Sequence, residues 1–348
     1  MKMSPLDSKH RELGAKMGAF GGWDMPISYG GTVGEHIATR ERAGIFDVSH
    51  LGKLMVRGAQ AAQFLDSQLT NRMANLVSGR ARYTLICNED GGIIDDLIVY
   101  GIADEEYLVV PNASNRDAVH ARLAGAAPAG VSVDLLDWTT IAVQGPASTD
   151  IVGRFWPEAK ALGYMRTARI GNVVVARSGY TGEVGYEVFT MPEDGPAVWD
   201  DLLDGVRNAG GEPCGLAARD TLRLEMGYPL HGNDIDETTT PAEAGLMWAV
   251  ALEGRSFPGA DAVTRKDKQL IGLLMQDKLI PRRHCAVLSL DEEVGQITSG
   301  TFSPTLKKGI AMASVRPGSL GAECDVDVRG KRGHARIVDP PFVNRSPK

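Results

Sequence analysis

The stretch GGIIDDLIVYG, residues 91–101, has the composition of a buried β-strand, but two adjacent aspartates, Asp95 and Asp96, interrupt its apolar run. Burying an unpaired carboxylate costs several kcal/mol, or the group takes up a proton instead. Successive side chains of a strand point to opposite faces, so the two aspartates point in opposite directions. They therefore cannot form a side-by-side carboxylate pair or a joint metal clamp, and each needs its own explanation.

The segments around this stretch predict an antiparallel meander. The turns NEDG and ADEE separate the strand at 92–101 from strands at 82–87 and 107–110. Two helices begin with possible capping boxes, Thr32 with Glu35 and Ser114 with Asp117. The other predicted elements are strands at 139–144, 168–177 and 184–190, and helices at 32–42, 58–69, 114–123, 192–208 and 215–227. Because strands come in groups rather than alternating with helices, the fold class is α+β with antiparallel sheets.

The helical pattern fades after about residue 281. Short strand candidates follow, broken by Gly and Pro, at 285–290, 310–315, 324–328 and 335–338. Short strands of this kind predict a small β-barrel or sandwich. The segment ITSGTFSPTL, residues 297–306, is rich in hydroxyl groups and predicts a turn between two strands.

Length and composition exclude several classes of protein. A chain of 348 residues is too long for one ordinary core, so two or three compact units are expected. Its composition, 43% hydrophobic and 23% charged, is typical of a soluble globular protein, and no apolar run approaches the roughly 20 residues of a membrane span. The N-terminus lacks the features of a targeting peptide. Four scattered cysteines without a C-x-x-C pair argue against a zinc site or disulfides and fit a cytoplasmic location, and no metal is expected.

The net charge of −7 disfavours nucleic acid as a ligand. The charge is uneven, however, because the chain from Ala262 onward carries 15 Lys and Arg against 9 Asp and Glu. A solvated basic surface is the simpler interpretation. A docking face for an acidic partner is the alternative.

Two further segments contain side chains that could bind a ligand. In RSGYTGEVGYE, residues 177–187, three glycines form a tight loop where backbone can approach a ligand, and Glu187 enters a strand. An ordinary hairpin explains that loop equally well. In CGLAARDTLRLEMGY, residues 214–228, Arg219 and Arg223 share one helix face and could bind a carboxylate or phosphate. Intramolecular ion pairing is the simpler explanation for these arginines.

Seven segments taken together carry a specific resemblance. They occur in the order of one family over nearly the whole chain, and they are GGWDMPISYGG (21–31), FDVSHLGK (46–53), GGIIDDLIVY (91–100), IAVQGP (141–146), SGYTGEVGYE (178–187), CGLAARDTLRLEMGYPLHG (214–232) and TSGTFSPTLKKGIA (298–311). The chain resembles the glycine cleavage system T-protein family of aminomethyltransferases.

The resemblance implies a three-domain cloverleaf, with two interleaved α+β domains and a C-terminal β-barrel. Residues 1–52 and 138–218 would form the first, folate-binding domain. Residues 53–137 and 219–275 would form the second domain. Residues 276–348 would form the barrel.

The resemblance also implies an activity. Members of the family take the aminomethyl group carried on the lipoyl arm of the H-protein, release ammonia and pass the methylene to tetrahydrofolate. The product is 5,10-methylenetetrahydrofolate. The expected partners are therefore lipoylated H-protein and tetrahydrofolate as co-substrate, with no nucleic acid and no membrane.

The family's site residues are carried over position by position. Asp96 matches the catalytic aspartate near N10 of the folate, and Glu187 matches the carboxylate that holds the pterin ring. The pterin 2-amino group and N3–H are two parallel donors that one carboxylate can accept. The other matching cavity positions are Leu51, Tyr83, Val110, Asn112, Tyr180, Arg219 and Tyr228. Asp95 is left as a structural carboxylate on the opposite strand face.

This sequence departs from the family pattern at the edges of the cavity. Leu51 stands where many members have Met, Pro111 precedes Asn112 where a hydrogen-bonding residue is common, and LHGNDID (230–236) replaces the usual Tyr-Gly-Gln pattern. Two other functions remain open: a folate-dependent demethylase of the same fold, and a non-enzymatic folate-binding factor in iron–sulfur assembly. The factor carries a Lys-Gly-Cys-Tyr signature, whereas this chain has Ser178-Gly-Tyr-Thr without a cysteine.

Overall fold

The computed structural model describes residues 1–348 and divides into two compact units. The first contains residues 1–84, 96–219 and 346–348, and the second contains 85–95 and 220–345. None of the helices has the length and apolar character that crossing a bilayer requires.

The strands of the chain are β1 Lys2–Met3, β2 Lys16–Phe20, β3 Trp23–Ser28, β4 Gly44–Asp47, β5 Leu54–Arg57, β6 Ala81–Cys87, β7 Ile93–Ala103, β8 Glu106–Val110, β9 Ser132–Leu135, β10 Thr139–Gln144, β11 Arg166–Ile170, β12 Val173–Arg177, β13 Gly185–Thr190, β14 Glu212–Pro213, β15 Gln269–Met275, β16 Ala286–Ser289, β17 Glu292–Ser303, β18 Lys308–Val315, β19 Glu323–Val328 and β20 Lys331–Val338. The α-helices are α1 Asp7–Glu12, α2 Thr32–Glu41, α3 Ala61–Gln68, α4 Arg116–Ala126, α5 Ser148–Phe155, α6 Gly195–Asn208 and α7 Leu216–Glu225. Two short 3₁₀ helices cover Pro157–Ala161 and Met247–Ala249.

A six-stranded sheet forms the core of the first unit, in the order β11-β12-β13-β10-β4-β14. Every pairing is antiparallel except the short one between β14 and β4. The two central strands, β10 and β13, are buried along their whole length. Helices α5 and α6 cover one face of the sheet with apolar side chains that include Ile151, Trp199 and Leu202.

The meander predicted around Asp95 and Asp96 is confirmed as part of a five-stranded sheet in the order β6-β7-β8-β5-β9. β7 pairs antiparallel with β8, and β8 pairs antiparallel with β5. The chain passes from the first unit to the second within β6 and returns within β7. A small sheet, β1-β3-β2, was not predicted because its hairpin sequence is rich in Gly and Met and has weak period-two alternation.

The second unit contains a closed barrel in the order β15-β18-β17-β16-β19-β20, and β15 completes it by pairing with β20. The α+β class with antiparallel sheets and a C-terminal barrel is therefore confirmed. Apolar residues from alternating positions, such as Leu273, Ala311 and Val326, fill the interior. The barrel begins at Gln269, so the boundary suggested at 276 falls just after its first strand. The division of the chain into three domains stays a prediction.

The predictions of capping boxes at the starts of α2 and α4 were both wrong. α2 begins at Thr32, but its N-cap is Gly31, which has a φ of 130° and no side chain to accept a bond. Glu35 instead receives the N–H groups of Tyr29 at 2.6 Å and Gly31 at 3.1 Å. α4 begins after Asn115 without any side-chain cap. Glu35 therefore stabilises the loop before α2 and does not form a capping box with Thr32.

Two strand predictions also need correction. The single strand expected at 168–177 is the hairpin β11–β12, which turns at Gly171 with a φ of 58°. The turn expected at 297–306 is mostly strand, because β17 continues to Ser303. The hydroxyl groups of this segment can be buried in a strand because they donate hydrogen bonds to two buried carboxylates. Ser299 bonds to Asp234 at 2.8 Å, and Ser303 bonds to Glu225.

Candidate functional site

The alternation expected along β7 is confirmed. Ile93, Asp95 and Leu97 lie on a buried face, and Asp95 has no exposed surface. Asp96 and Ile98 lie on the opposite face and are half-buried. The strand therefore keeps one aspartate inside the protein and presents the other where a ligand can reach it.

Two neighbouring side chains hold the Asp96 carboxylate. Tyr83, on β6, donates its hydroxyl to Oδ2 at 3.0 Å. Asn112, just beyond the end of β8, donates Nδ2 to Oδ1 at 2.9 Å and to the Asp96 carbonyl at 3.0 Å. Each carboxylate oxygen thus accepts a hydrogen bond from a side chain of the protein. The structure brings Tyr83 and Asn112 together around Asp96, and both contact the carboxylate directly.

A second carboxylate, Glu187, is fixed in the middle of β13 and is only 7% exposed. Tyr100 donates its hydroxyl to Glu187 Oε2 at 2.9 Å. Ser178 donates its hydroxyl to the same oxygen. Burial, with the neighbouring Glu187 charge, raises the pKa of Tyr100 well above 10, so the phenol keeps its proton and stays a donor.

The glycine-rich loop before β13 makes room for a side chain of the protein itself. A Cβ on Gly179 would lie 1.9 Å from Gln144 Oε1, and a Cβ on Gly185 would lie 2.3 Å from Gln144 Nε2. Gln144 accepts the Thr181 hydroxyl at 2.8 Å and donates to the Ser178 carbonyl at 3.1 Å. These two glycines therefore let the loop close over Gln144, which fixes Ser178 beside Glu187.

The loop also carries Tyr180, and the Arg219 guanidinium lies 4.6 Å from the centre of its ring. Stacking of this kind holds a flat cation against an aromatic face. The paired-arginine surface, the less favoured interpretation of Arg219 and Arg223, does not form. Arg223 is 1% exposed and bonds at 2.8 Å to both Asp220 and Asp234, which is the intramolecular pairing that was the simpler explanation.

Leu51 and Val110 belong to one apolar cluster with Tyr100 and Ile98, next to the strand face that carries Asp96. Tyr228 lies in the second unit just after α7, where its carbonyl accepts an Arg223 N–H at 2.9 Å.

The motif FDVSHLGK encloses buried charges that the sequence did not single out. Burial opposes ionisation of Asp47, but hydrogen bonds from His10, Ser4 and Ser49 outweigh it and lower the Asp47 pKa to about 2. His10 completes a chain of bonds, at 2.8 Å to Asp47 and at 2.8 Å to the Tyr29 hydroxyl. This network ties the N-terminal segment to β4.

Two further groups of the motif are buried. Burial and then the Arg219 charge lower the pKa of His50 to about 3, so its imidazole is neutral. Its Nδ1 has no hydrogen-bond partner, and the Phe20 ring lies edge-on at 5.4 Å. Burial lowers the pKa of Lys53 to about 7, and the amine donates to the Ser49 carbonyl at 2.7 Å.

No group of three or more His, Cys, Asp or Glu side chains is arranged to hold a metal ion. A surface groove of about 550 Å³ lies between α3 and the end of α4 and is lined by residues such as Gln60, Gln63 and Phe64. None of the candidate residues named above lines it.

Sequence reasoning missed Tyr100 and Ser178, the two residues that hold Glu187. Period-two alternation could have found Tyr100, because it lies four residues after Asp96 and so shares its strand face. Nothing in the local sequence distinguishes Ser178, since its bond to Glu187 depends on the way the loop folds over Gln144.

Two family models together match most of the chain. The GCVT N-terminal domain matches residues 6–254, and the glycine cleavage T-protein C-terminal barrel domain matches residues 268–344. The chain belongs to the glycine cleavage T-protein family.

Relatives of the chain match it over almost their whole length. The aminomethyltransferase of Frankia alni is 46% identical and covers 100% of this chain and 99% of its own. The aminomethyltransferase of Mycobacterium tuberculosis strain H37Rv is 48% identical over 97% of this chain and 96% of its own. The crystal structure of glycine cleavage system aminomethyltransferase T from Bartonella henselae superposes with a TM-score of 0.95 at 35% identity, covering 99% of both chains.

Proposed function

We propose that the protein is the aminomethyltransferase of a glycine cleavage system. It transfers the methylene of the aminomethyl group on the H-protein lipoyl arm to tetrahydrofolate, releases ammonia and forms 5,10-methylenetetrahydrofolate. The full-length match to proteins named aminomethyltransferase supports this function. The observation that carries the proposal to particular residues is the pair of held carboxylates, Asp96 and Glu187, at the positions that the family resemblance assigns to the reaction and to the pterin ring.

Glu187 is suited to bind the ring. The pterin edge presents the 2-amino group and N3–H as neighbouring donors, and a carboxylate is the side chain that accepts such a pair most strongly. Because Glu187 is almost buried, water competes weakly for its oxygens. A ring held there would gain both orientation and affinity.

Asp96 is suited to the chemical step. Once ammonia has left, N5 of the folate attacks the methylene, the carbon–sulfur bond to the lipoyl arm breaks with its sulfur leaving as a thiol, and N10 loses a proton as it closes the ring on the methylene. A half-buried carboxylate held by Tyr83 and Asn112 can take that proton or stabilise the positive charge that develops. Its two donors fix its orientation before the substrate arrives, which is the condition for efficient proton transfer.

Arg219 and Tyr180 would form a third contact region. The guanidinium of Arg219 stacks on the Tyr180 ring, and a planar cation held in this way could bind the reacting region or the lipoyl-borne group. We further propose that Leu51 and Val110 line the folate cavity, while the role expected of Tyr228 stays a prediction. The four free cysteines support a cytoplasmic location.

The experiment that tests this function measures 5,10-methylenetetrahydrofolate formed from tetrahydrofolate and aminomethylated H-protein, with each substrate omitted in turn. The proposal predicts product only when both are present. Binding of folate without any transfer from H-protein would favour the iron–sulfur assembly factor. Demethylation of a sulfonium or methoxy compound, with no requirement for H-protein, would favour the demethylase.

A further inference from the structure

The hydrogen bonds of Glu187 are unevenly distributed between its two oxygens. Tyr100 and Ser178 both donate to Oε2, and neither donates to Oε1. A carboxylate oxygen offers two lone-pair sites, so Oε2 is saturated within the protein. Any ligand donor that reaches this carboxylate must therefore bond to Oε1.

The two donors are themselves firmly held. Tyr100 is 1% exposed, its ring packs edge-on against Phe189 at 5.4 Å, and its hydroxyl lies 3.1 Å from Ser178 Oγ. Ser178 is also buried, and its carbonyl accepts a bond from Gln144. The pair cannot turn away from Glu187 without breaking these contacts.

Tyr100 has a second structural connection. It lies on the same strand as Asp96 and four residues further along, so the two side chains share one face of β7. The hydroxyl bond from Tyr100 to Glu187 therefore ties the carboxylate on β13 to the strand that carries Asp96. This bond, together with the contact between the Tyr100 and Phe189 rings, helps to fix a ligand on Glu187 relative to Asp96.

We propose that Tyr100 and Ser178 are positioning residues that occupy Oε2 of Glu187 and aim Oε1 at the ligand, so that both donors of a 2-aminopyrimidinone edge converge on that single oxygen. The inference rests on the proposed function and deepens it. It assigns both donors of the ligand to one oxygen of the carboxylate rather than one donor to each oxygen. Neither residue touches the ligand in this arrangement.

The arrangement makes a distinctive prediction for Glu187→Gln. An amide has one oxygen and one NH₂ group, and Tyr100 and Ser178 both require an acceptor. The amide oxygen must then face those two donors, which turns the NH₂ group toward the donors of the ligand. In a Tyr100→Phe/Ser178→Ala background the amide is free to turn over and offer its oxygen to the ligand.

The test is a double-mutant cycle that measures tetrahydrofolate dissociation constants by calorimetry. Tyr100→Phe and Ser178→Ala should each weaken binding about tenfold, and Glu187→Gln should weaken it about a hundredfold or more. The triple variant should bind about tenfold more tightly than Glu187→Gln alone. If the triple variant binds no better than Glu187→Gln, the inference is overturned.

Matched controls separate this effect from general loss of structure. Tyr107→Phe removes a buried hydroxyl that bonds to the Leu76 carbonyl at 3.3 Å, and Ser148→Ala removes one that bonds to the Val184 carbonyl at 3.0 Å. Added to Glu187→Gln, these changes should not restore binding. Should Tyr100→Phe fail to fold, Ser178→Ala combined with Glu187→Gln tests the same inference. The Tyr100 hydroxyl then still holds the amide oxygen, so binding should not recover, and recovery would contradict the inference.

The outcomes also separate this inference from the function on which it rests. Wild-type protein that binds no tetrahydrofolate contradicts the proposed function itself. Wild-type protein that binds it, with additive effects throughout the cycle, contradicts only the one-oxygen arrangement of Glu187.

Discussion

Replacing Asp96 by Asn changes the charge at the proposed reaction centre while almost preserving its shape. One carboxylate oxygen accepts a hydrogen bond from the Tyr83 hydroxyl at 3.0 Å, and the other accepts one from the Asn112 amide at 2.9 Å. An amide can satisfy only one of these donors, and the other then faces an NH₂ group. The variant should therefore lose one hydrogen bond and leave one donor unmet.

The cost of this loss to folding is small compared with the expected loss of activity. One unmet donor at a half-buried site costs about 1 kcal/mol, which lowers the melting temperature by about 2–4 °C for a unit of this size. Loss of a general base or of its charge reduces turnover by about 10²-fold or more, equivalent to about 2.7 kcal/mol of activation free energy. Because a protein with about 5–15 kcal/mol of stability stays folded after losing 1 kcal/mol, unfolding cannot account for that reduction.

The assay measures kcat for 5,10-methylenetetrahydrofolate formation with saturating H-protein, and separately the tetrahydrofolate dissociation constant. Turnover should fall about 10²-fold, while folate affinity stays within about a few-fold because Glu187 still holds the ring. Asp104→Asn is the matched control, since Asp104 is exposed in the turn between β7 and β8. Near-normal turnover in Asp96→Asn, or an equal loss in Asp104→Asn, would refute the assignment.

Three further changes test other parts of the account. Asp95→Asn should lower the free energy of unfolding by about 1–3 kcal/mol because Asp95 is fully buried, while the folded enzyme keeps its turnover; an inactive but fully stable variant would mean that the strand faces are reversed. Asn112→Ala removes the donor to Asp96 Oδ1 and should lower kcat about tenfold with a smaller change in folate affinity; unchanged kcat in steady-state assays would contradict that role. Burial lowers the pKa of Lys53 to about 7 from 10.5, so the unfolded chain binds more protons between those values and this group makes stability rise with pH there. Lys53→Met should be more stable at pH 7 and lose that rise, as urea midpoints from pH 7 to 10 would measure, and identical slopes in both proteins would count against it.

Local periodicity predicted the part of the site that depends on one strand. The opposite orientation of Asp95 and Asp96 follows from the pleat of β7 alone, and the structure confirms it. The antiparallel meander followed from turn residues between apolar runs. These features need no information about distant parts of the chain.

Features that depend on long-range contacts were not predictable in the same way. The helix pattern suggested that Arg223 could bind a ligand, but its guanidinium donates hydrogen bonds to Asp234 and Ser299. The strand in 297–306 looked like a turn because its hydroxyls suit a loop, and only the buried Glu225 and Asp234 make them compatible with a strand. Side-chain partners far apart in sequence decided each of these cases.

The glycine-rich loop was open to two interpretations from sequence alone. The spacing of its glycines suggested close approach of backbone to a ligand, yet Gly179 and Gly185 make room for Gln144. The loop still contributes to the site, because closing over Gln144 places Ser178 at Glu187. A glycine pattern therefore indicated a close approach correctly without indicating what approaches.

The most direct test of the central claim follows the carbon that is transferred. H-protein carrying a ¹³C-labelled aminomethyl group is mixed with the enzyme and tetrahydrofolate in a single turnover, and the label is located by NMR while ammonia is measured. The proposed function predicts that the label appears in 5,10-methylenetetrahydrofolate with one ammonia released per label, and that Asp96→Asn slows this appearance. Label that stays on the H-protein while tetrahydrofolate is bound would contradict it.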